Sequence, residues 1–383
     1  MNLPIKKSKY LIIGLMSGTS YDGIDSALAE IRLATINDIA VKTLAHTHTP
    51  YTQSQRAAIR EAFGVCSSQH ICRLNFTLGN LFADAALALL KATGLHCSDI
   101  DAISSHGQTI YHIPPDKHSL GSTLQIADSS VIAYKTGILT ISDFRTKDMA
   151  AMGHGAPLVP LADYLMFCDK IQIRVLLNIG GMANITVVKP SMEETIAFDT
   201  GPGNALIDEA VRIYTNGKLQ FDALGEIAKT AKPIAPLLDE LLKHPYFKKS
   251  PPKSTGRETF GNAYVEDIFK RYSNISPKDI ICTLTHLSAH TIAEAIISHN
   301  PSEVIASGGG IKNRALMELI NNALAKKHIA LNYIDKYGIT SESKEAVCFA
   351  VLGCRTLNMV HGNLKNCTGA KDNVVLGKIT FPM

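Results

Sequence analysis

Four short stretches carry residue types suited to phosphate and acid–base chemistry. Residues 16–25 read MSGTSYDGID. Glycine lets backbone N–H groups approach an anion unobstructed, and Thr19 and Ser20 add hydroxyl donors. Asp22 and Asp25 repel phosphate unless a cation lies between, which implies Mg²⁺. The plain alternative is an ordinary hairpin turn. Residues 307–313, SGGGIKN, can lie against a nucleotide at a helix start, and residues 178–184, NIGGMAN, give a third glycine turn. Either could equally be a tight turn and no more. In residues 196–204, IAFDTGPGN, one carboxylate ends an apolar segment ahead of a rigid Gly-Pro-Gly turn. Asp199 held there suits a general base; alternatively it only hydrogen-bonds the turn. Asn204 can cap the helix that follows.

Two further polar groups, Ser105-His106-Gly107-Gln108-Thr109 and Asp143-Phe144-Arg145, read as strand ends, where α/β enzymes place ligand contacts. His106 could be a satisfied structural histidine. Arg145 could hold an anion bidentately, or pair with Asp143 or Asp148. Residues 253–258, KSTGRE, could meet an anionic substrate or simply be solvated. The chain lacks Gly-x-x-x-x-Gly-Lys-Ser/Thr and Gly-x-Ser-x-Gly, and its first strand lacks Gly-x-Gly-x-x-Gly. That disfavours a P-loop enzyme, a nucleophile-elbow hydrolase and a dinucleotide fold.

Apolar runs at 10–16, 24–31 and 41–49 read as an antiparallel meander. Ile71, Leu74, Leu78, Leu81, Phe82 and Ala85 share a helical face, and Gly94 ends it. Strands follow at 100–104 and 138–142, with a helix at 131–135. From Arg174 the pattern restarts: strand 174–179, a Gly180-Gly181 turn, strand 183–188. Helices are expected at 204–214, 233–243, 261–272, 278–299, 313–326 and 345–361, and a strand at 303–307. Residues 243–253, rich in Lys and Pro, read as a surface loop. The two similar starts indicate two domains of related topology, or else two unrelated hairpins.

Composition agrees with a two-domain enzyme. The chain has 383 residues, 46% of them hydrophobic, enough for two cores. It has no Trp, which argues against stacking platforms for single-stranded nucleic acid. A net charge of +4 suits anionic substrates and is too weak to indicate a nucleic-acid partner. None of the eight cysteines forms a Cys-x-x-Cys pair, so reduced, mostly buried thiols are expected. No signal segment is evident and no segment reads as long enough to span a bilayer, so a cytoplasmic protein without membrane partners is expected.

Residues 14–25, 105–109, 143–145, 155–160, 177–181, 198–204, 252–258 and 308–310 with Asn313 together resemble the anhydro-N-acetylmuramic acid kinases, of the actin, hexokinase and Hsp70 superfamily. The ordered set runs over nearly the whole chain. The resemblance implies a two-domain actin-like ATPase (ribonuclease H-like) α/β fold, each domain a mixed sheet flanked by helices. The implied domains are 1–140 with 362–383, and 141–361, with the active site in the cleft between them. It implies ATP and Mg²⁺, with 1,6-anhydro-N-acetylmuramic acid opened by water and phosphorylated at O6 during cell-wall recycling. Asp199 would be the base. ATP would meet Gly18, Thr19, Ser20, Tyr21, Asp22, Gly23, Ile24 and Asp25, with Gly201, Gly203, Asn204, Gly308, Gly309 and Gly310. The sugar would meet His106, Gln108, Thr109, Arg145 and Glu345. A homodimer is implied by likeness alone. Three places depart from the family pattern: Tyr21 for Leu, Ala127-Asp128-Ser129 for Gly-Asp-Pro, and Met152 and His154 before Gly155 for Gly and Gln. An ordinary hexose kinase, and an ATP-driven conformational module, are the competing readings; the intact turn at 198–204 disfavours the second.

Overall fold

The computed structural model describes residues 7–116 and 121–382. It divides into two compact units: the chain up to Met166 with the chain from Gly338, and Phe167–Tyr337. In the first, β1 (Lys9–Ser17), β2 (Gly23–Leu33) and β3 (Ile39–Pro50) form an antiparallel meander. There follow α1 (Gln53–Ala62), α2 (Ser68–Thr93), β4 (Ala102–Ile113), β5 (Ser122–Ile126), α3 (Ser129–Thr136), β6 (Thr140–Ser142), α4 (Phe144–Ala150) and α5 (Val159–Phe167). α2 buries Leu74, Leu78, Phe82 and Leu89 on one stripe and stops at Gly94, whose φ of 71° suits a residue without Cβ.

The second unit opens with another antiparallel meander, β7 (Arg174–Ile179), β8 (Met182–Val188) and β9 (Ile196–Pro202). Then come α6 (Ala205–Tyr214), α7 (Glu226–Lys229), α8 (Ala235–Leu241), α9 (Asn262–Arg271), α10 (Pro277–Ile297), β10 (Glu303–Ser307), α11 (Arg314–Ala325) and β11 (Ala330–Tyr333). The chain returns to the first unit with α12 (Lys344–Leu357), α13 (Lys365–Thr368) and β12 (Lys378–Thr380).

The sheet orders are β12-β6-β4-β1-β2-β3, with β5 on β4, and β11-β10-β7-β8-β9. In each, two parallel strands extend the meander beside its first strand. The repeat expected from the two strand–glycine–strand starts is therefore present. This is the actin-like ATPase arrangement of two mixed sheets flanked by helices.

Several expectations are corrected. The unit boundaries lie near 166 and 337, where 140 and 361 were expected; the later one falls earlier because α12 packs on β1, β2 and β4 of the first sheet. β4 runs through residues 105–109 instead of ending there; a bulge beside β1 lets it continue against β5. Helices α1, α4 and α5 and strands β5, β11 and β12 were not expected. Within 243–253 the chain is not all surface loop, since Tyr246 is 3% exposed. α10 is long and apolar enough, by length and composition, to cross a bilayer, contrary to the reading of the sequence. It is a core helix: Ile281, Leu284 and Leu287 are fully buried. All eight cysteines are free, but only Cys282, Cys348, Cys354 and Cys367 are buried.

Candidate active site

In the first unit the turn between β1 and β2 is braced from beneath. Tyr21 N–H donates to the Gly18 carbonyl at 3.1 Å. The Gly107 bulge, with φ of 74°, brings Gln108 opposite Ser17. Gln108 Oε1 lies 2.7 Å from Ser17 Oγ, and its Nε2 donates to the Gly18 carbonyl at 3.1 Å. Gln108 is fully buried, so its amide holds the turn. Thr109 accepts from Gln125 Nε2 at 3.3 Å. Thr19, Ser20 and Asp22 are exposed, and the Ser20 hydroxyl donates to Asp22 Oδ1 at 3.0 Å.

Tyr21 adopts φ of 42°, a left-handed conformation that a bulky residue holds only when its surroundings fix it. α1 does so. Arg60 Nε donates to the Tyr21 hydroxyl at 3.2 Å, and Phe63 meets the ring edge-on at 5.3 Å. Asp25 Oδ1 lies 3.3 Å from His46 Nε2 and 2.9 Å from His48 Nδ1.

His106, Arg145 and Glu345 come together in the same unit. His106 Nδ1 faces the Gly107 carbonyl at 2.9 Å, leaving Nε2 to accept from Arg145 Nε at 3.0 Å. Burial, then the Arg145 charge, depress the imidazole to about 3, so it is neutral. Arg145 also donates Nη1–H to the Gly155 carbonyl at 2.8 Å. Burial lowers its guanidinium to about 10 against the pull of Glu345 and Asp148. Neither hypothetical pairing with Asp143 or Asp148 is a direct bond: Asp143 meets Lys378 at 3.3 Å. Glu345 stays accessible at the start of α12 although protein surrounds it; that desolvation raises its carboxyl, against Lys344 and Arg145. Lys344 itself is buried against Asp163 at 3.2 Å.

The loop between Arg145 and Gly155 is anchored by Asp148, a group the sequence offered only as an ion-pair partner. Asp148 is fully buried. Its Oδ2 accepts the Gly155 N–H at 2.8 Å; its Oδ1 accepts Asn363 Nδ2 at 2.6 Å and Thr368 Oγ1 at 2.7 Å. Apart from Tyr21, the departures from the family pattern sit close by or at the start of α3. His154 N–H donates to the Thr368 carbonyl at 2.7 Å, Met152 has φ of 67°, and Asp128 caps α3 through Ser130 N–H at 2.9 Å.

In the second unit three glycine turns converge at the ends of β7, β9 and β10. Gly203 N–H donates to the Gly181 carbonyl at 2.8 Å, and Asn204 N–H to the Gly180 carbonyl at 3.0 Å. Gly308 has φ of 90°, and a Cβ there would come within 2.6 Å of Asn178 Oδ1 and the Ile179 carbonyl. A Cβ on Gly310 would overlap Ile179 and reach within 2.8 Å of Asn204 Nδ2; Gly309 has open space. Asn204 stands at the N-cap of α6 but makes no capping bond; its Oδ1 accepts from Asn313 Nδ2 at 3.4 Å. The expected cap is thus replaced by a tie to the third turn.

Asp199 lies on β9, opposite Asn184, beside a bulge that precedes Gly201. Its N–H donates to the Lys253 carbonyl at 3.1 Å, its carbonyl accepts the Tyr246 hydroxyl at 2.7 Å, and its Oδ2 accepts the Thr255 N–H at 2.9 Å. Desolvation raises the carboxyl above its ordinary value; Thr255 opposes and Glu258 adds to the rise. A fixed carboxylate of raised basicity suits proton abstraction. Sequence reading missed Tyr246, whose aromatic context alone carried no signal for this contact.

Among the described residues no group of three or more His, Cys, Asp or Glu is arranged to hold a metal. Mg²⁺ does not need one, since it uses one or two carboxylates with phosphates and water. The exposed Asp22 fits that demand.

The fold is that of the two-unit actin-like ATPases, with glycine turns at the strand ends of each unit. The chain belongs to the anhydro-N-acetylmuramic acid kinase family, whose model matches residues 10–382. It is 43% identical to the anhydro-N-acetylmuramic acid kinase of Caldanaerobacter subterraneus subsp. tengcongensis, covering 98% of both chains. It is 41% identical to that of Bacillus thuringiensis subsp. konkukian, covering 97% of this chain and 99% of the relative. Remote likenesses in shape include the activator of the 2-hydroxyisocaproyl-CoA dehydratase from Clostridium difficile (TM-score 0.41, 11% identity, 89% and 93% coverage). Another is a ROK family glucokinase from Streptomyces griseus (TM-score 0.37, 10% identity, 89% and 98% coverage).

Proposed function

We propose that this kinase opens the 1,6-anhydro ring of 1,6-anhydro-N-acetylmuramic acid with water and phosphorylates O6, using ATP and Mg²⁺, in cytoplasmic cell-wall recycling. The observation that carries the reading is Asp199, its carboxylate held by Thr255 N–H and raised by desolvation, its backbone held by Lys253 and Tyr246. Asp199 takes a proton from the water that attacks C1, the C1–O6 bond breaks, and the freed O6 accepts the γ-phosphoryl group of ATP as ADP leaves. The turn Gly18–Asp25 and the turns at Gly201, Gly203 with Asn204, and Gly308 to Gly310 receive ATP. Asp22 would hold Mg²⁺, which neutralises phosphate charge when bound. Arg145, oriented by His106 and Gly155, receives the sugar's lactyl carboxylate, and Glu345 faces the ring. Gln108 acts through the turn that it braces. This reading takes the chain to pair as a homodimer.

Mass analysis of the product after incubation with ATP, Mg²⁺ and the anhydro-sugar tests the reading. Gain of both phosphate and water is expected. Phosphorylation of a plain amino sugar, with none of the anhydro-sugar, overturns it in favour of an ordinary hexose kinase.

A further inference from the structure

A recess lies against β9, in the second unit, and the chemistry above does not use it. It has a volume of about 430 Å³, and Phe198, on the strand face opposite Asp199, forms part of its lining. Phe247 extends that apolar wall, and Thr291 adds a hydroxyl. Lys248, Lys249 and Lys253 also line it. The acid in the lining, Glu294, lies 3.9 Å from His290. Among the described residues none of the three lysines has an ion-pair partner.

Two of the lysines sit by one aromatic ring. Lys253 Nζ lies 4.9 Å, and Lys249 Nζ 5.8 Å, from the centre of the same Tyr246 ring. Burial, and then the Lys249 charge, lower the Lys253 ammonium below its ordinary value. An anion between two such groups offsets their mutual repulsion. The volume falls in the range of small-molecule sites, and an aromatic wall with a hydroxyl suits the mixed surface of a sugar.

We propose that this recess is a second ligand site, for a sugar-sized molecule carrying a phosphate or a carboxylate. Lys249 and Lys253 hold the anion, Lys248 adds long-range attraction, and Phe198 with Phe247 meets the ring face.

Calorimetric titration of the full chain tests this with four probes: glucose 6-phosphate, glucuronate, inorganic phosphate and uncharged glucose. Binding of either sugar anion is expected, weakening roughly tenfold or more in Lys249→Glu and likewise in Lys248→Glu, whose side chains are exposed. Circular dichroism confirms that each variant is folded. Asp199→Asn should bind the same probes unchanged, and the loss in Lys248→Glu and Lys249→Glu, residues given no part with ATP or the anhydro-sugar, assigns the heat to this recess. Preference for glucose 6-phosphate identifies phosphate as the anion, and preference for glucuronate identifies carboxylate. Absence of heat with both sugar anions, or equal affinity in the two lysine variants, overturns the proposal. Inorganic phosphate binding as tightly as glucose 6-phosphate overturns its sugar part. The measurement needs no turnover, so failure of the kinase reading leaves it intact.

Discussion

The Nε of Arg145 lies 3.0 Å from the Nε2 of His106. The bond commits the imidazole to its neutral Nδ1–H form, and its group pKa of about 3 follows from burial beside that cation. The unfolded chain takes up a proton at this residue below about pH 6.5, while the folded chain does not until about pH 3. The group's contribution is therefore fully present above about pH 6.5 and is lost as pH falls towards 3, at up to about 1.4 kcal/mol per pH unit. His106→Gln should flatten the decline of urea-unfolding stability between those limits. Equal slopes in the two proteins would mean that His106 is protonated in the fold.

Asp199→Asn should fold normally and lose turnover by about 10³-fold, within the range of general-base contributions. The raised carboxyl places the acid limb of the rate profile above that of a free aspartate, with activity lost as pH falls through it. Glu258→Gln removes the charge that adds to the rise, so that limb should move to lower pH. A limb that stays put in Glu258→Gln would remove Glu258 from the electrostatics of the site. Near-normal turnover in Asp199→Asn would remove Asp199 from its role.

Glycine substitutions separate backbone strain from lost space. Gly94 and Gly308 have φ of 71° and 90°, but a Cβ at Gly94 meets nothing within 4 Å, whereas one at Gly308 strikes Asn178 and Ile179. Gly94→Ala should cost about 1 kcal/mol in thermal unfolding, and Gly308→Ala roughly 3 kcal/mol or more. Only Gly308→Ala should also weaken binding of a nucleotide analogue, measured by fluorescence titration.

Asp148→Asn conserves size but turns an acceptor-only group into one that must face an NH₂ toward a donor. Both carboxylate oxygens already accept bonds, from Gly155, Asn363 and Thr368. A loss of about 3 kcal/mol is expected. Because Gly155 also holds Arg145, KM for the sugar should rise more than kcat falls. Hydrogen exchange should quicken at residues 151–155; unchanged protection there would disconnect Asp148 from the loop.

Strands β1, β2, β7, β8 and β10 and helices α2 and α10 were legible because their burial is nearly continuous or follows a helical stripe over many residues. α1 was not, since only Ile59 and Ala62 on it are buried. β12 spans three residues and exists through pairing with β6, more than two hundred residues away, which no local pattern encodes. The glycine turns and Asp199 stood out in the sequence by residue type. Their supports were not: Tyr246 on the Asp199 carbonyl, Asn313 on Asn204 and Asp148 on Gly155 are contacts made by the tertiary fold.

The first unit draws on both ends of the chain, and the second is one unbroken run. A Cβ at Gly14 on β1 would overlap the Ala346 carbonyl of α12, so the oldest strand is closed over by one of the last helices. During translation, all five strands of the second unit are synthesised before Lys344 is added. The meander made first must wait, with the face of Ile12 and Gly14 open to water, for a helix more than three hundred residues behind it. Synthesis order and completion order are thus reversed, and chaperone demand during translation falls on the unit whose strands emerge first.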